Sequence, residues 1–242
     1  MKTDARETGI DLERFRLRRF VDELLQKGEL EVRAGPAELA DVASALEGNA
    51  KAVLFERVGK EGAQLVGNVM GSRARLARAF GATPDKLLAE VLRRLRTTPQ
   101  VVEVPRGTAP AQEVALTGDK ADLTALPVNL QHGFDGAPYI SASIDFVVDP
   151  SNGWTNVGVR RLMLRGRREA GIDINSPSDL RALYEAAVKR GERLPIAFVV
   201  GAHPADRRGD ASAGGRAGAR REPARYAARG REMRDLRYPR AG

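Results

Sequence analysis

The 242-residue chain contains no cysteine, which excludes disulfide bonds, thiolate nucleophiles and cysteine-ligated metal sites. It has only two histidines, His132 and His203, which lie far apart in sequence without a nearby serine or cysteine partner. We therefore interpret them as surface or loop histidines rather than catalytic ones. No apolar run approaches the length of a membrane span, and the charged N-terminus lacks the apolar stretch of a secretory signal. A cytoplasmic, globular protein with no membrane partner is expected.

The formal net charge of +8 is concentrated at the C-terminal end. Residues 207–242 contain 11 arginines and only four acidic residues, whereas residues 1–206 are almost neutral. A nucleic-acid partner is therefore not expected for residues 1–206, and such a function would depend on the basic segment.

Residues 207–242 also differ from the rest of the chain in composition. Arginine, alanine, glycine and proline account for 27 of these 36 residues, and Leu236 is the only branched aliphatic side chain. Such a segment buries too little apolar surface to offset its ordering entropy, so it is predicted to be disordered. Three interpretations stay open: a basic arm that binds RNA or anionic surfaces, a solvated tail, and the out-of-frame translation of GC-rich DNA. We favour the third.

The first part of the chain has the pattern of a small α/β domain, assigned to residues 1–112. Apolar residues at helical spacing predict a helix over residues 17–25 that ends at Gly28, and Gly35-Pro36 is expected to break the chain. Further segments are a short helix at 38–46, strands at 51–58 and 64–69, and helices at 72–80 and 84–95, the last with Thr83 as N-cap.

The second part, residues 113–206, is predicted to begin with an antiparallel hairpin. Residues 139–148 and 154–164 are strand-like, and the turn sequence between them favours direct pairing. Ser176-Pro177 is expected to open a helix, and residues 194–201 are predicted to form a buried strand. The whole chain is thus predicted to be of mixed α/β and α+β class.

Three polar residues of this second part are candidates for chemistry. Arg161 shares a strand face with Val157, Val159 and Met163, whereas Asn156 begins the same strand on the opposite face. A cation and an amide at a strand rim can bind an anion or a metal-bound phosphate, although spacing alone favours a snorkelling arginine and a turn asparagine. Asp179 fits a capping-box pair with Ser176, a structural role that is sufficient alone.

Several motifs in order resemble the UbiD family of decarboxylases. They cover roughly residues 12–206 and are DLTALP from Asp122, DGAPYIS from Asp135, and DP…GWTNVGVRR from Asp149 to Arg161. Upstream, residues 17–30 and the stretch VGNVMGSRARL from Val66 resemble the N-terminal domain of that family.

The resemblance implies a split β-barrel flavin-binding domain and decarboxylation of aromatic, heteroaromatic or unsaturated acids with prenylated FMN. It also implies Mn²⁺ (or Mg²⁺) and K⁺ near the cofactor phosphate, a flavin prenyltransferase that supplies the cofactor, and a homodimer. By matching motif positions, Arg161 is the catalytic residue that contacts cofactor and substrate carboxylate, and Asn156 and Asp179 are metal ligands. Asp179 departs from the histidine that many members carry there. The cofactor-binding positions are Ser141, Asn156, Val159, Arg160, Arg161 and Ser178.

The segment from Arg161 to Asp173 resembles the branch that acts on pyrrole- and furan-carboxylates. Family members continue past the Val199–Pro204 stretch into apolar sequence with a third metal ligand, the catalytic glutamates and the dimerising domain. Arginine-rich sequence stands there in this chain, so we expect a frameshift near Asp206 and an incomplete enzyme. The alternative function is a flavin- or nucleotide-binding module with a basic nucleic-acid-binding tail.

Overall fold

The computed structural model describes residues 12–97 and 110–205, so the basic segment 207–242 lies outside the described residues. The first range contains four α-helices and three strands: α1 Leu17–Gln26, β1 Leu30–Ala37, α2 Val42–Leu46, β2 Ala52–Val58, β3 Ala63–Gly67, α3 Arg73–Ala79 and α4 Leu87–Leu95. The second contains β4 Tyr139–Val148, β5 Thr155–Gly166, β6 Glu169–Ile172, α5 Asp179–Lys189 and β7 Ala197–Val200. The predicted mixed α/β and α+β class is confirmed.

The first sheet has the strand order β1-β2-β3, with β1 parallel and β3 antiparallel to β2. The sequence did not predict β1, because Gly35-Pro36 was expected to break the chain there. That expectation was wrong: the strand runs through both residues, and its register against β2 shifts between Arg33 and Pro36. Proline is tolerated at such an irregularity because an edge strand does not need every N–H for pairing.

The central strand β2 sends its side chains into two separate hydrophobic clusters. Ala52 and Leu54 pack with α1, α3 and α4 on one face, whereas Val53 and Phe55 pack with α2 on the other. This alternation follows from the two-residue period of a strand. The sheet is therefore covered on both faces, as the apolar sequence of β2 requires.

Two helix starts show how local capping decides the boundary. Ser72, the first residue of the predicted helix 72–80, is the N-cap of α3, since its hydroxyl accepts a hydrogen bond from the backbone N–H of Arg75 at 3.1 Å. The predicted start of α4 at Pro84 was wrong, because the helix begins at Leu87. The Thr83 side chain is hydrogen-bonded to the Asp85 carboxylate, whose pKa it lowers, and residues 83–86 form a turn instead.

The second sheet is antiparallel throughout and has the order β6-β5-β4-β7. Its central pair is the predicted hairpin, in which Asp145 lies opposite Gly158 and Val147 opposite Asn156. The sequence did not predict β6. Nor is the strand at 194–201 buried as expected: β7 spans only Ala197–Val200, and Val199 and Val200 are exposed. In the part of the chain that the structure describes, β7 pairs with β4 alone and forms one edge of this sheet.

The segment after β7 joins the two parts of the molecule. Ala205 belongs to the hydrophobic cluster under α1, and the ring of His203 packs edge-on against Phe15 and Phe20 at centroid distances of 5.6 and 5.1 Å. His203 lies in a loop, which is one of the two expected alternatives, but its ring is buried and not at the surface. His132, by contrast, is exposed as expected. None of the described helices combines the length and apolar character needed to cross a membrane.

Candidate functional site

The candidate site begins at the turn that joins β4 to β5. The Asp149 carboxylate accepts hydrogen bonds from the Ser151 backbone N–H and hydroxyl at 2.8 and 2.7 Å, and these bonds hold its pKa below the usual value. Gly153 adopts a φ of +73°, a conformation that favours glycine. This tight connection aligns the two strands and sets their register.

The two faces of β5 carry different predicted site residues. Asn156, Gly158 and Arg160 lie on the face that is buried at Asn156 and Leu162. Val157, Val159 and Arg161 lie on the opposite face, as predicted, and Val159 and Arg161 are exposed. The structure therefore places Asn156 and Arg160 on the same face of β5, four residues apart, and Arg161 on the other face.

A β-bulge brings two other predicted residues together. The register between the strands shifts because Ile140 pairs with Leu162 whereas Ser143 pairs with Arg160, which leaves Ser141 and Ala142 both opposite Arg161. The Arg161 guanidinium lies 5.6 Å from the centroid of the Tyr139 ring, a cation–π contact that holds the side chain over this face. Bulges of this kind commonly re-aim side chains beside ligand sites.

The outer edge of β5 is open beside these residues. Strand β6 pairs only with the segment from Leu162 to Gly166, so within residues 12–97 and 110–205 the stretch 155–161 has no partner on that side. The Trp154 carbonyl and the Leu164 N–H both bond towards β4. Because backbone groups alternate along a strand, the N–H groups of residues 157, 159 and 161 point to the open edge. A ligand on this edge is within reach of side chains from both faces.

Sequence reasoning missed a buried acid at this site. Asp145 is completely buried, and its Oδ1 lies 3.5 Å from the Arg160 Nε. Neither carboxylate oxygen accepts a hydrogen bond from any described residue. Burial raises the pKa of Asp145, and the positive charge of Arg160 opposes that rise. The available signal was a single acid within the otherwise apolar second half of the β4 sequence, YISASIDFVV.

The N-terminus of α5 presents Ser178 and Asp179. The Ser178 hydroxyl accepts a hydrogen bond from the Arg181 backbone N–H at 3.3 Å, and the helix begins at Asp179. The expected capping pair between Ser176 and Asp179 was therefore wrong, since Ser178 is the cap. Asp179 remains in the first turn, where a negative charge is favourable, and its side chain is exposed.

We expect Ser178→Ala to lower the free energy of unfolding by about 1 kcal/mol, because it removes the N-cap of α5. Ser176→Ala is the matched control and is expected to stay within about 0.5 kcal/mol of the parent. Urea unfolding followed by circular dichroism measures both. Equal losses in the two variants would contradict the assignment of Ser178 as the cap.

The protein oxygen atoms at the site are too few to bind a hard cation unless a ligand supplies further oxygen atoms. The Asn156 side chain is buried, and its Nδ2 has no hydrogen-bond partner among the described residues. No group of three histidine, aspartate or glutamate side chains in the described ranges could hold a metal ion alone. Asn156 and Asp179 carry an amide oxygen and a carboxylate, the hard oxygen donors that Mn²⁺ and Mg²⁺ prefer, and their assignment as metal ligands stays a prediction.

Comparison with known proteins gives a consistent result along most of the chain. Residues 22–95 match the 3-octaprenyl-4-hydroxybenzoate carboxy-lyase N-terminal domain, and residues 102–206 match the Rift-related domain of the same carboxy-lyase. The anhydromevalonate phosphate decarboxylase of Methanosarcina mazei is 32% identical over 188 residues, which are 77% of this chain and 42% of that relative.

Two solved structures have the same fold. The UbiD-class enzyme HmfF from Pelotomaculum thermopropionicum, in complex with FMN, is 29% identical with a TM-score of 0.74, over 78% of this chain and 43% of that one. The vanillic acid decarboxylase of Sedimentibacter hydroxybenzoicus in closed form is 28% identical with a TM-score of 0.70, over 81% and 44%. The chain spans about two fifths of the length of these relatives. With both domain matches in chain order and the corresponding fold, this chain belongs to the UbiD family.

Proposed function

We propose that this chain provides the flavin-binding part of a UbiD-type carboxy-lyase, which removes CO₂ from an unsaturated or aromatic carboxylic acid with the help of prenylated FMN. The observation that carries the proposal is the open edge of β5, where backbone N–H groups, the Ser141 bulge and the two arginines surround one strip of strand. The HmfF structure, which is similar to this chain, contains FMN.

Every predicted site residue except Arg160 has a role in this proposal. The N–H groups of Val159 and Arg161 donate to the polar rim of the flavin, and Ser141 and Ser178 line it. Asn156 and Asp179 supply oxygen ligands to Mn²⁺ or Mg²⁺, which neutralises the cofactor phosphate; K⁺ is proposed beside that phosphate. When bound, prenylated FMN supplies an electron sink for the pair of electrons that remains when CO₂ leaves.

Arg161 acts on the substrate. Its guanidinium is exposed and held over Tyr139, so it can receive the carboxylate in a two-pronged hydrogen bond and orient the bond that breaks. Because this face also carries Val159 and Met163, the remainder of the acid contacts apolar side chains. The relatives are named for different acids, and a pyrrole- or furan-carboxylate is the narrower proposal for the substrate of this chain.

We propose a cytoplasmic protein that receives its cofactor from a flavin prenyltransferase. The homodimer and the catalytic glutamates expected from the family are left outside this proposal, because the chain spans about two fifths of the length of its relatives.

The test is titration of the full chain with FMN, followed by flavin fluorescence, and then with 2-furoate as the carboxylate. We expect FMN to bind and 2-furoate to perturb its fluorescence. Arg161→Gln should weaken 2-furoate about tenfold or more, since a charged hydrogen bond contributes about 1.5–3 kcal/mol.

Arg168→Gln is the matched control. Arg168 lies in the turn that follows β5 and forms an ion pair with Asp119, so this substitution should leave both affinities unchanged. Failure of the parent chain to bind FMN would refute the proposed flavin site. Unchanged 2-furoate affinity in Arg161→Gln would refute only the role of Arg161.

A further inference from the structure

The buried face of β5 holds an ion pair that the proposed roles leave unexplained. Asp145 is fully buried in the centre of the sheet, and its only charged partner within the described ranges is Arg160. A buried carboxylate without hydrogen bonds is costly, so its retention calls for a reason beyond packing.

The carboxylate occupies a space that exists only because residue 158 is glycine. A Cβ built on Gly158 would lie 2.8 Å from Asp145 Oδ1 and 3.1 Å from Oδ2. Asp145, Gly158 and Arg160 therefore form one interlocked unit across two paired strands, which we call the Asp145 unit. The unit places the Asp145 carboxylate 3.5 Å from the Arg160 Nε, an ion pair without a hydrogen bond.

Among the described residues, the Arg160 side chain contacts the acid only through its Nε. Its Nε is buried against the carboxylate, whereas 21% of the side chain is exposed. In the described structure its terminal nitrogen atoms have no hydrogen bond or ion pair of their own. A guanidinium fixed by a buried acid, with its terminal N–H groups unused, is suited to binding an oxyanion.

We propose that Asp145 is a positioning residue that fixes Arg160 so that its terminal nitrogens bind the phosphate of the flavin cofactor. The inference rests on the proposed function. The phosphate is favoured over the substrate carboxylate because Arg160 shares its face with Asn156, the proposed metal ligand beside that phosphate, whereas Arg161 lies on the opposite face. Asp145 acts only through Arg160.

The test compares FMN with riboflavin, which has the same ring system without the phosphate. In the full chain, Asp145→Asn is expected to weaken FMN at least fivefold and to leave riboflavin unchanged. This sign is diagnostic, because removing a negative charge should otherwise strengthen the binding of an anion. Asp119→Asn, which removes an exposed acid near β6, supplies that electrostatic baseline and should bind FMN at least as well as the parent.

Two further variants separate positioning from folding. Arg160→Gln should lose the same preference for FMN, and adding Asp145→Asn to it should change nothing more. Gly158→Ala keeps both charges but displaces the carboxylate, so it should also reduce the preference; it serves if Asp145→Asn fails to fold.

The outcomes below would contradict the positioning role of Asp145, the phosphate assignment of Arg160 or the proposed function. An unchanged ratio of FMN to riboflavin affinity in Asp145→Asn, or equal weakening of both flavins, would overturn the positioning role. A loss of 2-furoate binding in Arg160→Gln with unchanged FMN affinity would overturn the phosphate assignment. A parent chain that binds neither flavin would instead refute the proposed function, and the inference with it.

Discussion

Acidification from pH 7 to pH 4 should destabilise the folded chain by up to about 3 kcal/mol through His203 alone. Burial against the rings of Phe15 and Phe20, with Arg94 adding a smaller effect, lowers the pKa of this histidine from 6.5 to about 4. Between these two values the unfolded chain binds a proton that the folded chain does not. The stability supplied by the neutral ring is therefore complete above pH 6.5 and is lost as the pH falls towards 4.

A conservative variant isolates this contribution from the titration of carboxylates. His203→Asn keeps an acceptor for the Ala205 N–H, which the Nδ1 of His203 binds at 3.2 Å, but it cannot take up a proton. Urea unfolding of the parent and of His203→Asn, measured from pH 4 to pH 7, should give curves that converge as the pH falls. His132→Asn, at the exposed histidine, should follow the parent. Parallel curves for the parent and His203→Asn would contradict the prediction.

The second large effect is expected in the hydrophobic cluster that contains Phe20, the residue against which His203 packs. Leu24 is completely buried in the cluster that also contains Phe20 and Ala205, so Leu24→Ala should cost about 2–5 kcal/mol by loss of buried surface and formation of a cavity. Thermal unfolding followed by circular dichroism measures the loss.

Its neighbour Leu25 provides a control on the same helix. Leu25 is half exposed, and both substitutions bring the same favourable helix propensity of alanine. Leu25→Ala is therefore expected to be nearly neutral. Similar losses at the two positions would show that α1 does not pack through Leu24.

The sequence predicted those elements in which the spacing of apolar side chains indicates a buried face. Helix α1 and the β4–β5 hairpin were found because apolar spacing and turn residues agree there. Strand β1 was missed because Gly35-Pro36 is a local break signal, and pairing with β2 outweighs it. Strand β6 contains only four residues, too few for a period to emerge.

The candidate site was predictable by family motif and less so by residue chemistry. Spacing alone placed Asn156 and Arg161 on opposite faces, which the structure confirms, but it gave no sign that β5 has an open edge between them. The loop position of His203 was predicted, but its burial was not, because that depends on aromatic rings almost two hundred residues earlier in the chain. Asp145 was missed because its partner lies on another strand, where sequence spacing has no meaning.

The match between Asp145 and Gly158 also has a consequence for folding fidelity. If β4 slipped by one residue against β5, Asp145 would lie opposite Val157 or Val159, and the apolar sets of the two strands would change faces. A slip by two residues would bring it opposite Asn156 or Arg160, where a side chain already occupies the space that Gly158 leaves free. The acid and the glycine thus discriminate between alternative pairings of the hairpin, so mispaired chains are disfavoured before any ligand is present.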